Sequence, residues 1–181
     1  MRIGAIRSAG VRRAPGAVTL LVLAADQVSK SLVVATRPGV AHGVVAVTLV
    51  RNTGASFGIG SAHPVAVMVV SVAVIAVVAV LLARTASRGA ALFLAAVLGG
   101  ALGNLTDRLF RSPGLGRGAV IDWIHVWGYP ATFNLADVAI RVGAVGAAVA
   151  MLGVPSLVGK WLSARRSWLQ PGWRSSSAAS P

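Results

Sequence analysis

No cysteine and no glutamate occur among the 181 residues. The first absence excludes disulfides, thiol nucleophiles, thiolate metal sites and palmitoylation of this chain, and leaves the redox compartment open. The second leaves Asp26, Asp107, Asp122 and Asp137 as its only acidic side chains. Charge of either sign is scarce: 12% of residues are charged and 56% are hydrophobic, where a soluble domain carries about a quarter charged residues. Long runs of Val, Ala and Leu point to a bilayer as the solvent. A carboxylate at or near a bilayer is costly and is a functional candidate by default. With four acids, the candidates are few.

Basic residues outnumber acidic ones 17 to 4, a net charge of +13. Such a balance first suggests nucleic acid, but its distribution does not. Arg2, Arg7, Arg12 and Arg13 precede the first apolar run, Arg84 and Arg88 separate two others, and Lys160, Arg165, Arg166 and Arg174 follow the last. Basic residues at span ends orient a membrane protein with its positive side in the cytoplasm. No nucleic-acid partner is expected.

The chain is expected to be an all-α polytopic membrane protein. A basic cytoplasmic arm covers residues 1–15, a membrane domain 16–160, and a basic, Ser-rich cytoplasmic tail 161–181. Four spans are expected at 17–35, 64–83, 90–109 and 137–159, each near the length a bilayer demands. A cleavable signal peptide ending at Ala24-Ala25 is the rival for the first, but the apolar run continues from Ser31 to Ala35. Val44 to Val50 reads as a strand, Asn52 to Gly60 as a Gly-rich turn, and Ala119 to Trp127 as a second short strand. Tyr129 and Trp161 bracket the fourth span as interfacial aromatics do. Small residues such as Gly99, Gly100 and Gly103 suit close helix packing. Four spans with basic cytoplasmic ends gather Asp107, Asp122 and Asp137 near the outer surface.

Asp122 and Asp137 lie fifteen residues apart, one before a turn and one at a helix start. Two carboxyls in contact cannot both ionise easily, so one retains a proton near neutral pH. Such a pair can activate water and protonate a carbonyl, the chemistry of peptide hydrolysis. The plainer alternative is that Asp137, near Asn134, only caps its helix. Asn104, Asp107 and Arg108 end the third span, either as a polar cluster or with Arg108 fixing a carbonyl or carboxylate. Asp26 and Lys30 share a helix face and can pair. Lys30 with Ser56 would be a Ser-Lys alternative. The stretch Asn52-Thr53-Gly54-Ala55-Ser56-Phe57 could meet an extended substrate or simply turn. Asp122 and His125 with Asp137 make a poor metal set, and His42 and His63 add nothing to it.

Five segments together carry a resemblance: Asp26-Gln27-Val28-Ser29-Lys30, Asn52-Thr53-Gly54-Ala55-Ser56-Phe57, Gly103-Asn104-Leu105-Thr106-Asp107-Arg108, Val120-Ile121-Asp122-Trp123 and Phe133-Asn134-Leu135-Ala136-Asp137. In this order among the spans, they resemble lipoprotein signal peptidase (signal peptidase II) over nearly all of residues 16–160. The resemblance implies a membrane aspartic endopeptidase of the bacterial inner membrane, without metal or cofactor. It would remove signal peptides from diacylglyceryl-modified prolipoproteins by cutting before the lipidated cysteine. It implies Asp122 and Asp137 as the catalytic pair. Asn52, Gly54, Asn104, Asp107, Arg108 and Asn134 would line or brace the site, with Asp26 and Lys30 in support. It further implies a small extracytoplasmic β-sheet cradle, an active site at that face, and a monomer among membrane lipids. The rivals are a small transporter, with Asp26, Lys30 and Arg141 as a charge relay, and a structural membrane subunit.

Overall fold

The structure is a computed structural model that describes residues 3–38, 43–55, 58–153 and Trp161, with side chains from Arg13 onward. His42, Ser56, Phe57, the stretch 154–160 with Pro155, and the tail 162–181 lie outside the described residues. Among the described residues there are six elements, in order: α1 (Ile3–Thr36), β1 (Val45–Asn52), α2 (Pro64–Arg84), α3 (Arg88–Phe110), β2 (Val120–Val126) and α4 (Leu135–Met151).

Helix boundaries follow local chemistry. Helix α1 runs unbroken through Pro15, so most of the basic arm is helical and continuous with the first span. Pro64 occupies the first turn of α2, where its missing N–H costs nothing. Helix α3 begins two residues before the expected 90 because Ser87 caps it, accepting a hydrogen bond from the Ala90 N–H. Helix α4 begins two residues before the expected 137 because Asn134 is the cap.

Three helices among the described residues are long and apolar enough to cross a membrane, at Arg13–Thr36, Pro64–Arg84 and Arg88–Phe110. The expected fourth span, 137–159, is described only as far as α4 extends, 17 residues, short of the roughly 20 that a bilayer requires. Crossing three times puts the α1–α2 and α3–α4 connections, and with them both strands, on one side of the bundle.

The strands pair antiparallel, with Val50 opposite Asp122, Arg51 opposite Ile121 and Asn52 opposite Val120. The ladder therefore carries β1 two residues past the expected Val50, and Asn52 is a strand residue and not part of the turn. The register shifts between Val47 and Val50, where β1 holds an extra residue, the mark of a bulge. Phe133 exchanges backbone hydrogen bonds with Ile124, so the approach to α4 adds a third short rung.

Helix α3 is the centre of the bundle, packed against α1, α2 and α4. Its glycines set how near the neighbours come. A Cβ on Gly99 would fall 2.6 Å from the Thr19 carbonyl of α1, and one on Gly100 would fall 2.6 Å from the Ala136 carbonyl of α4. Lipid tails are as apolar as valine, so association inside a bilayer relies on such close packing. Val78, Leu94, Val97 and Ala147 join α2, α3 and α4 in a buried cluster. Helix α2 otherwise buries little, and Val69, Val70, Val72 and Val77 are exposed. In water that face would be a large apolar patch; in a bilayer it is a matched surface.

A buried ion cluster locks the strand-bearing end. The Lys30 ammonium lies 2.8 Å from Asp26 Oδ2 and 2.8 Å from Asp107 Oδ2, and donates to Asn104 Oδ1 at 2.9 Å. Asp26 Oδ1 accepts from the Ala136 N–H at 3.0 Å, anchoring the N-terminus of α4. Asp107 Oδ2 accepts from the Ile121 N–H at 3.2 Å, anchoring β2, while its Oδ1 meets Arg111 Nε at 2.6 Å. Gln27 Nε2 bridges Asp26, the Gly103 carbonyl and Asp107.

Three outcomes are expected for thermal unfolding in detergent. Lys30→Met leaves the buried Asp26 without a cation and Asp107 with Arg111 alone, and should cost about 3–5 kcal/mol. Gly103→Ala puts a methyl 2.5 Å from Asp26 Oδ2 and should destabilise by about 1–3 kcal/mol. The same change at Gly16, where a Cβ meets nothing within 4 Å, should stabilise α1 by about 0.5–1 kcal/mol. Equal effects at the two glycines would contradict the packing described.

Candidate active site

Asp122 sits in β2 with its side chain turned into the protein, 2% exposed. Both carboxylate oxygens are held. Asn52 Nδ2, reaching across the β1–β2 ladder, donates to Oδ2 at 3.0 Å, and Asn134 Nδ2 donates to Oδ1 at 2.7 Å. Asn134 also caps α4, its Oδ1 accepting from the Asp137 N–H at 2.9 Å. One buried amide thus binds the first carboxylate and starts the helix that carries the second.

Asp137 stands in the first turn of α4, where the helix dipole favours an anion. Its Oδ2 accepts from the Asn134 N–H at 3.3 Å and completes a capping box. Its Oδ1 accepts from Asn104 Nδ2 at 3.0 Å. Capping is therefore real at this residue, but it engages one oxygen only. Asn104 in turn accepts from Lys30 and from Asn134 at 3.2 Å, so the orientation of its amide is dictated from below.

Asp122 and Asp137 line one cavity of about 230 Å³ together with Asn52, Gly54, Asn104 and Arg108. Its far wall is apolar, formed by Val67, Val70 and Val74 of α2 with Ala101 and Ile140. Burial pushes the Asp122 carboxyl up to about 6, with the nearby Asp137 charge adding to the rise and the hydrogen bonds from Asn52 and Asn134 opposing it. A carboxyl so shifted can give or take a proton near neutral pH.

Arg108 Nη2 donates to the Gly54 carbonyl at 2.7 Å and Nη1 to the Thr53 carbonyl at 3.4 Å. The expected carbonyl recognition is present, but toward the chain's own loop; the buried Nε has no hydrogen-bond partner. Gly54 is required here because a Cβ would collide with the backbone of Gly58. Asn134, Asp107, Asp26 and Lys30 do not line the cavity; they brace the residues that do. The Ser-Lys alternative finds Lys30 enclosed by three acceptors, with Ser56 outside the described residues. Asp122 and His125 are three apart on a strand and so face opposite sides; no metal-holding group of His, Asp or Glu side chains occurs among the described residues.

Residue-type reasoning overlooked Arg141, Thr132 and Gln27 as members of the assembly. Arg141 lines the cavity with its guanidinium carbon 5.7 Å from the centre of the Phe133 ring. Its spacing from Asp137, one helical turn on, was the available signal. Thr132 lines the cavity from an irregular segment, for which no periodicity exists.

The signal peptidase (SPase) II family model matches residues 18–153. The lipoprotein signal peptidase of Rhodococcus jostii is 40% identical, covering 77% of this chain and 70% of its own. That of Leifsonia xyli is 42% identical over 68% of this chain and 59% of its own. That of Streptomyces coelicolor is 49% identical over 53% and 47%, so the matched stretch spans about half the length of that relative. A bacterial membrane enzyme solved by the in meso method shares the fold, with a TM-score of 0.66 at 23% identity, covering 78% of this chain and 89% of the other. With a family match that takes in every segment described above, the chain is an integral membrane protein that belongs to the signal peptidase II family.

Proposed function

We propose that this protein is a membrane aspartic endopeptidase that releases signal peptides from diacylglyceryl-modified bacterial prolipoproteins, cutting before the lipidated cysteine. The observation that carries this reading is the meeting of Asp122 and Asp137 in one cavity with an apolar, span-derived wall. Between them the carboxyls hold one proton. Water attacks the scissile carbonyl carbon and passes a proton to the ionised carboxylate, while the protonated partner gives its proton to the carbonyl oxygen. The tetrahedral intermediate then collapses: the C–N bond breaks, the leaving nitrogen takes one proton and the carbonyl re-forms. The raised pKa of Asp122 favours it as the member that first carries the proton.

The apolar wall of the cavity supports the lipid requirement. The valines of α2 offer acyl chains a surface continuous with the bilayer, whereas a site facing bulk water would expose them. Arg108, Asn52 and the Gly54 backbone are placed to hold an extended peptide. The rest of the proposal is a monomer in the bacterial inner membrane, with the stretch 137–159 as its fourth span. The basic arm and the tail from 161 then lie in the cytoplasm and the strands outside. Metal and cofactor have no role. A charge relay through the membrane is not favoured, because Asp26 and Lys30 are satisfied by partners at the strand-bearing end.

Purified protein in detergent should release the signal peptide from a diacylglyceryl-prolipoprotein. Asp122→Asn and Asp137→Asn should each lower kcat by about 100-fold or more with the unfolding midpoint retained. Full activity in either variant would remove the pair, and equal cleavage of the unlipidated precursor would remove the lipid requirement.

The pH profile supplies a second check. With Asp122 protonated below about 6 in the free enzyme, kcat/KM should fall about tenfold per unit above that pH. The Asn52 hydrogen bond lowers the Asp122 pKa, so Asn52→Ala should move this limb to higher pH, whatever it does to the maximal rate. A limb that stays in place, or moves to lower pH, contradicts the assignment.

A further inference from the structure

A second cavity, of about 330 Å³, adjoins the first. The two share Asn52, Asp122, Ala131 and Thr132. The first has the valines of α2 and Ile140 on one wall, beside Asn104, Arg108, Asp137 and Arg141. The second has Arg51, Thr53, Ser61 and Pro130, all from the strand-bearing connections and none from a helix. An extended chain rises about 3.3 Å per residue, so a peptide passing from one cavity to the other at Asp122 can place neighbouring residues in the two. The valine wall of the first suits the lipid and the signal-peptide side. The second suits the residues on the far side of the cysteine, which must leave toward water.

Among the described residues, Arg51 is the only cation lining the second cavity. It is exposed, and among the described residues it forms no ion pair. Arg37 and Arg117 lie on the same side of the bundle, where the only acid outside the helices is Asp122, already bonded to two asparagines. We propose that the second cavity receives the residue directly after the lipidated cysteine, and that Arg51 makes it select an acidic side chain there. This inference rests on the peptidase reading and adds a specificity site to it.

The test uses two diacylglyceryl-prolipoproteins identical except for Asp or Lys directly after the cysteine. The readout is the ratio of their kcat/KM values on one preparation of full-length protein, which cancels any difference in the folded fraction. The wild type should favour Asp by about fivefold at low ionic strength, and the preference should shrink with added salt. Arg51→Lys should retain the ratio, Arg51→Ala should bring it near unity, and Arg51→Glu should invert it. Arg117→Ala should leave it in place. Equal cleavage of the two substrates by the wild type, or a preference that persists in Arg51→Ala, would overturn the subsite while leaving the peptidase reading standing. Failure to cut either substrate would overturn both.

Discussion

One buried ammonium holds the strand-bearing end of this protein together. Lys30 reaches from α1 to two carboxylates and an amide, and each of those acceptors has a second task. Asp26 secures the start of α4, Asp107 secures β2, and Asn104 binds Asp137. A charge that would be prohibitive alone in an apolar bundle is tolerable because every group around it is paired. The same pairing ties the two elements that carry Asp122 and Asp137 to a common foundation. Glycine at 103 lets α1 come near enough for the cluster to close.

Above that foundation, the two aspartates are held differently. Asp122 is buried and receives only neutral amide donors, which stabilise its charge less than a cation would. Asp137 has the N-terminus of a helix beneath it. The two carboxyls therefore sit in unlike surroundings. Asn134 contacts Asp122 through its side chain and Asp137 through both its side chain and its backbone, so the pair is set by a single amide. In the proposed reaction, the peptide would lie along the sheet and the lipid along α2, which would give a membrane bundle a use for two short strands.

Much of this was legible in the residues. The absence of Glu left four acids, and all four gather at one end, where basic span ends had implied three. The strand pattern located both strands to within two residues, because β-branched runs report extended backbone directly. The misplaced boundaries have local causes. Ser87 and Asn134 extend their helices by capping, and pairing with Val120 keeps Asn52 in β1. Arg141 and Gln27 went unnoticed as site members because each looks like an ordinary polar interruption until its neighbours are known.

The sequence by itself determined the solvent of this chain, the rough position of its apolar helices, and which side chains had chemistry to offer. Those properties depend on composition and on periodicity along the polymer. Only the tertiary structure decided that Asn104 would serve Asp137 while Asn52 serves Asp122, that Arg108 would grip its own loop, and that Asp122 would line two adjoining cavities. Hydrogen-bond pairing and cavity shape arise between segments as much as 110 residues apart; no local pattern encodes them, because each depends on where two separate backbones come to rest.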